Sequence, residues 1–307
     1  MNHDTALRAA PVRGAVWPLL VAASLFAVAI AMGQRVKHAP PPAAVAIGIS
    51  DETPAAAGDV SRIARMTAGD LFALFVERGY LLGEAKRGAE PVPRLVVDQL
   101  PGDLAAVDSS DLRKSVFIKS LLPLLLIENE RILADRARVL EILDQGGPIG
   151  AAQAAWLDEL ARRYETAPDR LRELARRVDA VPVSLALAQA ALESGWGTSR
   201  GAQTGHAPFG QMAFRNDDDD GRVRHFADLG EAVEAYALNL NTHRAYAEFR
   251  RARAAARAEG KTPDGHALAP HLHRYSERRM DYVRDVRSLM RANGLRTLDQ
   301  AQLDAVL

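Results

Sequence analysis

Ten residues, Val183 to Leu192, carry only two polar side chains, Ser184 and Gln189, and run straight into Glu193-Ser194-Gly195-Trp196-Gly197. Pro182 precedes them. Proline suits the first helical position, because its φ is already helical and its missing N–H would be orphaned there. A helix apolar on every side belongs in the middle of a domain rather than on its rim. Ser194 and Gly195 end it, so Glu193 falls at the negative end of the helix dipole. Partial burial and the dipole both disfavour an ionised carboxylate, and the pKa of Glu193 is expected to be raised. Such a group suits glycoside hydrolysis, which needs a carboxyl still protonated near neutral pH to protonate the leaving oxygen. Trp196 adds a flat apolar face against which a sugar ring packs. On spacing alone a plainer reading stands beside this one: an ordinary helix end with an exposed Glu and a buried Trp.

The stretch Ala191-Leu192-Glu193-Ser194-Gly195-Trp196-Gly197-Thr198-Ser199, with Phe209-Gly210-Gln211 behind it, resembles the signature of the glucosaminidase domains, the family 73 glycoside hydrolases that cut peptidoglycan. The likeness is greatest to the bacterial Bax-type members, which are membrane-associated. It extends to Asn239-Leu240-Asn241-Thr242-His243-Arg244-Ala245-Tyr246 and to Tyr275-Ser276-Glu277-Arg278 followed by Tyr282-Val283. These islands keep the family's order over roughly residues 180–295. A weaker similarity covers Arg113-Lys114 and Phe117 through Asn129, a segment these proteins carry ahead of the catalytic domain. The resemblance implies a lysozyme-like fold and a β-1,4 glycosidase acting on the N-acetylglucosamine side of peptidoglycan. It makes Glu193 the general acid and Tyr246 its companion. The chain departs from the family pattern at His206-Ala207-Pro208, where members usually have an Asn-rich stretch, and its hairpin lobe looks short.

At 307 residues and 48% hydrophobic content, the chain can bury a core and hold one catalytic domain with a helical appendage. Net charge is zero, so no global field favours nucleic acid. Cysteine is absent, which excludes disulfides and thiol chemistry and leaves the compartment open. The compartment is read from the N-terminus. Residues 1–13 form a short tail with Arg8 and Arg13, and Gly14 to Gly33 is an uncharged run of the length a bilayer core needs. Ala31-Met32-Gly33 also fits a signal-peptide cleavage site, but the length of the run favours an uncleaved anchor. The expected place is the inner membrane of a Gram-negative cell, single-pass, with the rest of the chain in the periplasm. Residues 34–60, with Pro40 to Pro42 and many alanines, read as a Pro/Ala linker.

Residues 61–147 read as a helical accessory region. Leu71 to Val76 forms a helix that Gly79 ends, and Leu95-Val96-Val97 a short strand. From Ser110 a long helix follows with an apolar stripe from Phe117 to Leu126, then a second helix through Leu140 and Leu143 that stops at Gly146-Gly147-Pro148. Glu128 and Glu130 read as solvated charges. Residues 148–300 read as the glucosaminidase domain. Within it two helices share Ala151 to Val178, the second beginning near Pro168 with Thr166 as its cap.

Gln211 to Phe214 and Arg222 to Phe226 read as two strands joined by the acidic turn Asn216 to Gly221. Asp217 to Asp220 allow three readings: a solvated turn, which comes first, a second carboxylate that activates water, taken as Asp220, or a cation loop. An EF-hand fails, because its twelfth position would be Ala227 instead of Glu. The sugar's own 2-acetamido group is the alternative to a second carboxylate. Asp228-x-x-Glu231 reads as a helix start, with Val233, Tyr236 and Leu240 on one face, and Thr242 as cap of a further helix holding His243 and Tyr246. Trp196, Phe209, Gln211, Tyr236, Asn239 and His243 are the candidates for lining a sugar groove. Phe209, Tyr236 and Tyr246 have core packing as the competing role. No histidine has a second ligand at helical spacing, so neither metal nor cofactor is expected.

The fold class expected is therefore mainly α: a lysozyme-like α+β domain with a small β-hairpin lobe, a helical region before it and one N-terminal transmembrane helix. The expected partners are peptidoglycan glycan strands and the inner membrane. Two rivals remain: a lytic transglycosylase, which also needs one Glu at such a helix end, and a non-catalytic membrane-anchored module that binds peptidoglycan.

Overall fold

The structure is a computed structural model and describes residues 61–63, 65–211 and 224–305, all inside the compact unit Pro54–Leu307. No helix among the described residues is long and apolar enough to cross a membrane. The expected anchor at 14–33, the linker and Asp217 to Asp220 lie outside them.

The fold is mainly helical. Its first part is a parallel two-stranded ribbon of β1 (Ser61–Ile63) and β2 (Leu95–Val97), with α1 (Ala68–Glu77) and α2 (Leu82–Arg87) between the strands. Thr67 caps α1 by accepting from the Asp70 N–H. Then comes α3 (Ser110–Gln145), one continuous helix of 36 residues. Ser109 caps it, accepting from the Leu112 N–H at 3.2 Å, and Gly146 closes it in the left-handed conformation. The sequence divides this stretch into two helices, but the structure joins them. Pro123 does not break the helix because Val116 to Leu126 is buried on every side. Packing overrides the lost hydrogen bond there. Glu128 and Glu130 are ion-paired rather than merely solvated, to Arg131 and Arg94.

The rest is α4 (Ala151–Arg163), α5 (Leu171–Arg177), α6 (Val183–Ser194), α7 (Arg200–Thr204), α8 (Leu229–Thr242), α9 (Ala247–Ala258), α10 (Gly265–Leu268) and α11 (Met280–Ala292), with 3₁₀ turns at Arg244–Tyr246 and Arg296–Gln300. Pro168 sits in the turn before α5, whose cap is Arg170 instead of Thr166. Asp228 caps α8 as the sequence indicates, accepting from the Glu231 N–H at 2.8 Å.

The expected border near residue 147 falls in a loop inside one core. α3 packs against α1 and β2 on one side and against α5, α6 and α8 on the other. A single apolar cluster runs from Ile63 to Leu303. α6 is at its centre, touching α3, α10, α11 and the last 3₁₀ turn, and every residue from Val183 to Ala191 is buried.

A buried ionic clamp fixes the chain ahead of α6. Asp179 is 1% exposed and pairs with Arg136, Arg253 and Arg257. Arg253 is wholly buried. It donates to the carbonyls of Arg176, Asp179 and Ala180 at 2.9–3.2 Å and to the Asn241 side chain at 2.8 Å. Carbonyls at a helix end have no partner within the helix, and one guanidinium serves several of them.

Candidate active site

The first turn of α6 has no cap from its own sequence. Asp299 supplies one from the last 3₁₀ turn, its carboxylate accepting from the Ser184 N–H and hydroxyl, each at 2.8 Å. At the other end Gly195 takes the left-handed conformation at φ 58° and Trp196 follows at φ 61°. The turn is held by Ser194 Oγ, which donates to the Ala190 carbonyl at 2.6 Å and accepts from the Gly197 N–H at 2.8 Å. Gly197 is required by space as well as by its φ of 80°: a Cβ there would stand 2.7 Å from Leu100 and 2.9 Å from Phe117. The glycine turn thus lies flush against α3 and the loop after β2.

This places Glu193 at the open end of the central helix, half-buried. Burial raises its pKa, opposed by the nearby Tyr282 hydroxyl and by the charge of Arg278. Gly210 leaves room for the carboxylate, since a Cβ there would come within 3.0 Å of Glu193 Oε2. Tyr282, on α11, is 3% exposed. Gln189, one turn before Glu193 on α6, donates to its hydroxyl at 2.8 Å and accepts from the Tyr236 hydroxyl at 2.8 Å. With its lone pair engaged by Gln189, the Tyr282 hydroxyl keeps its proton free on the side of Glu193. Burial and the negative charge of Glu193 push the Tyr282 hydroxyl far up, so it acts as a donor and not as a base.

Tyr246 stands in the 3₁₀ turn after α8, with its hydroxyl beside Asn239. Burial first, and then the nearby charge of Glu193, raise its pKa to about 12. Tyr275 links the aromatic side chains. It stacks on Tyr282 with ring centroids 5.6 Å apart, lies 6.0 Å from Tyr246, and donates to the Phe209 carbonyl at 2.8 Å. That bond fixes the backbone just before Gly210.

The candidates divide accordingly. Glu193 and Tyr246 come together, with Asn239 beside the Tyr246 hydroxyl. Phe209 and Tyr236 are completely buried and stack on each other at 4.0 Å, so they have no face to offer a sugar and form the wall behind Tyr275. Trp196 is half-buried, edge-on to Phe117 of α3, with the ammonium of Lys114 5.4 Å from its ring centre. His243 is exposed beside Tyr246. It is also the cap that the sequence assigned to Thr242: its ring Nδ1 accepts from the Ala245 N–H, while the Thr242 hydroxyl turns back to the Leu238 carbonyl. Gln211 has a buried Oε1 with no hydrogen-bond partner among the described residues. Its carbonyl accepts from the Arg224 N–H at 2.8 Å, and Arg224 to Phe226 are not a strand. Asp220 lies outside the described residues. Among these no three His, Asp or Glu side chains gather as a metal site would require.

Sequence reasoning missed the role of Tyr282 and its support by Gln189. The signal was present as two polar residues on otherwise apolar helix faces, Gln189 in α6 and Tyr282 in the buried stripe of α11.

The fold and site together define a mainly helical protein with one half-buried carboxyl of raised pKa at the open end of its central helix, beside a tyrosine from the closing helix. Residues 169–295 match the glucosaminidase family, described as mannosyl-glycoprotein endo-beta-N-acetylglucosaminidase. Protein bax of Escherichia coli (strain K12) is 34% identical over 191 residues, covering 59% of this chain and 69% of the relative. The chain belongs to the Bax-type glucosaminidase-domain proteins. No solved structure matches it.

Proposed function

We propose that this protein is an endo-acting N-acetylglucosaminidase of cell-wall glycan, hydrolysing β-1,4 bonds of peptidoglycan with Glu193 as general acid. One observation carries the reading: Glu193 is the half-buried carboxyl at the end of the central helix, raised in pKa by burial with the Tyr282 hydroxyl beside it. A carboxyl kept protonated toward neutral pH can give its proton to the glycosidic oxygen, and the tyrosine hydroxyl stabilises the carboxylate left behind. Tyr246, beside Asn239 and near enough to feel the Glu193 charge, orients the sugar's acetamido group or the attacking water in this reading. That acetamido group, or an acid from Asp217 to Asp220 such as Asp220, supplies the second half of the reaction. Trp196, His243 and Gln211 are the side chains left to contact the glycan. Residues 14–33 anchor the chain in the inner membrane and place the enzyme in the periplasm beside its substrate.

The test is digestion of purified peptidoglycan by the wild type and Glu193→Gln, with mass spectrometry of the released fragments. Reducing N-acetylglucosamine ends that vanish in the variant support the proposal. Anhydro-muramyl ends would make the protein a lytic transglycosylase, and binding without new ends would make it a wall-binding module.

A further inference from the structure

Although the chain is neutral overall, its arginines are not evenly spread. A cleft of about 250 Å³ opens between α5 and α9, lined by Arg170, Arg176, Arg177, Arg250 and Arg251 against a single acid, Glu173. None of these residues contacts Glu193. The one acid is already engaged, since Arg176 and Arg177 both pair with it, at 2.5 and 3.1 Å. Arg170 and Arg251 are exposed and make no ion pair among the described residues. Arg250 is 3% exposed, yet only its NH1 group is used, donating to the Leu240 and His243 carbonyls at 3.0 and 2.9 Å. Its Nε and NH2 make no hydrogen bond to the described residues.

Four uncompensated positive charges around one concave site repel each other, and an isolated fold gains nothing from that. The strain is visible at Arg250, where burial and then the charges of Arg177, Arg176 and Arg251 pull the pKa down to about 10. Guanidinium groups converging on a cavity are the usual means of holding a carboxylate or phosphate, because each offers parallel N–H donors matched to two oxygens. Around Arg170, Glu173 and Arg176 the cleft continues into a second of about 450 Å³, walled by Leu143 and Leu171 as well as Arg172 and a second acid, Asp169. That extension is too large for a lone ion, and its wall mixes two leucines with charged side chains.

We propose that the cleft between α5 and α9 is an oxyanion site, built for a carboxylate or phosphate group carried on a longer chain with both polar and apolar parts. A peptide carboxylate fits both parts, and peptidoglycan carries such peptides on its glycan, an assignment of source that rests on the function proposed above. The oxyanion site itself does not depend on that function. Its position has a further consequence, since Arg250 grips the His243 carbonyl and therefore the turn that carries Tyr246. An anion seated between Arg250 and Arg251 relieves the repulsion beside that turn.

The test compares the full chain with Arg170→Gln/Arg251→Gln, two exposed side chains whose loss leaves the hydrogen bonds of the fold intact. Thermal melting and calorimetric titration with inorganic phosphate are measured against sodium chloride of equal ionic strength. The wild type is expected to bind phosphate beyond the chloride control, and the double variant at least about tenfold more weakly. Should the double variant melt lower in chloride, Arg251→Gln alone replaces it. No phosphate binding by the wild type, or equal binding by wild type and variant, overturns the proposal. Co-sedimentation with intact peptidoglycan and with glycan stripped of its peptides then distinguishes the sources. A variant defect on intact material only supports the peptide carboxylate, whereas no difference between the two materials overturns that source and leaves a free oxyanion. Failure of the glycosidase reading would remove new glycan ends without altering the phosphate arm.

Discussion

Gly210 stands so close to Glu193 that a single methyl group on it would come within 3.0 Å of the carboxylate oxygen Oε2. The same glycine has φ 62°, a conformation that costs an L-residue about 1–2 kcal/mol. Gly210→Ala is therefore expected to lower stability by about that amount and to displace the carboxyl. A misplacement of that order is worth up to about 10²-fold in rate. Melting and turnover measured together check it, and a variant that loses stability alone would separate the loop from the acid.

Replacing the acid itself has the opposite balance. Glu193→Gln removes the proton donor and should cost about 10²–10⁴-fold in activity. Stability should hold or rise, because burial disfavours the charged form of this group. A large fall in the melting temperature would show that Glu193 is structural.

The pH dependence follows from the same shift. The folded-state pKa of Glu193 lies above its ordinary 4.5, so its contribution to stability is complete below that value and is lost as pH rises through the raised one. The wild type should thus lose stability relative to Glu193→Gln across that window and in parallel with it at higher pH. Activity should fall on the alkaline side as the donor proton is lost. Tyr282→Phe deletes the hydroxyl that stabilises the carboxylate, so the alkaline limb should move to higher pH while the overall rate drops. Rate profiles of the two proteins decide this, and a limb that moves down would remove Tyr282 from its assigned place.

The ionic clamp offers a test of stability apart from chemistry. Asp179 and Arg253 are both buried, and removing one partner leaves the other's charge without compensation. Arg253→Met or Asp179→Asn should destabilise the protein by about 3–5 kcal/mol, read by denaturant unfolding. A loss under about 1 kcal/mol would mean that the other arginines around Asp179 suffice.

What could be read from the chain was local. The all-apolar run ending at Glu193, the Asp228 cap and the start of α3 at Ser109-Ser110 each show themselves within one or two helical turns, where periodicity and capping act. What could not be read depends on partners distant in sequence. Gln189 meets Tyr282 93 positions further on, and Asp299 caps α6 from 115 positions away. The continuity of α3 through Leu140 and Leu143 is hidden too, because its burial by other helices leaves no mark in the local sequence. Phe209 looks like a sugar platform until Tyr236 is found stacked on it at 4.0 Å. Apolar residues beside a motif are equally at home in a groove or a wall, and only the tertiary fold distinguishes the two.

The cap that Asp299 places on Ser184 ties the site to the order in which the chain is made. A growing polypeptide that has already emitted Glu193, Tyr246 and Tyr282 still leaves the start of the central helix bare until Asp299 emerges. Fragments cut between Tyr282 and Asp299 would contain every residue named around the acid and lack the brace for the helix that presents it. The helix that presents Glu193 is thus completed from its far end, by a carboxylate contributed 115 positions later in the chain.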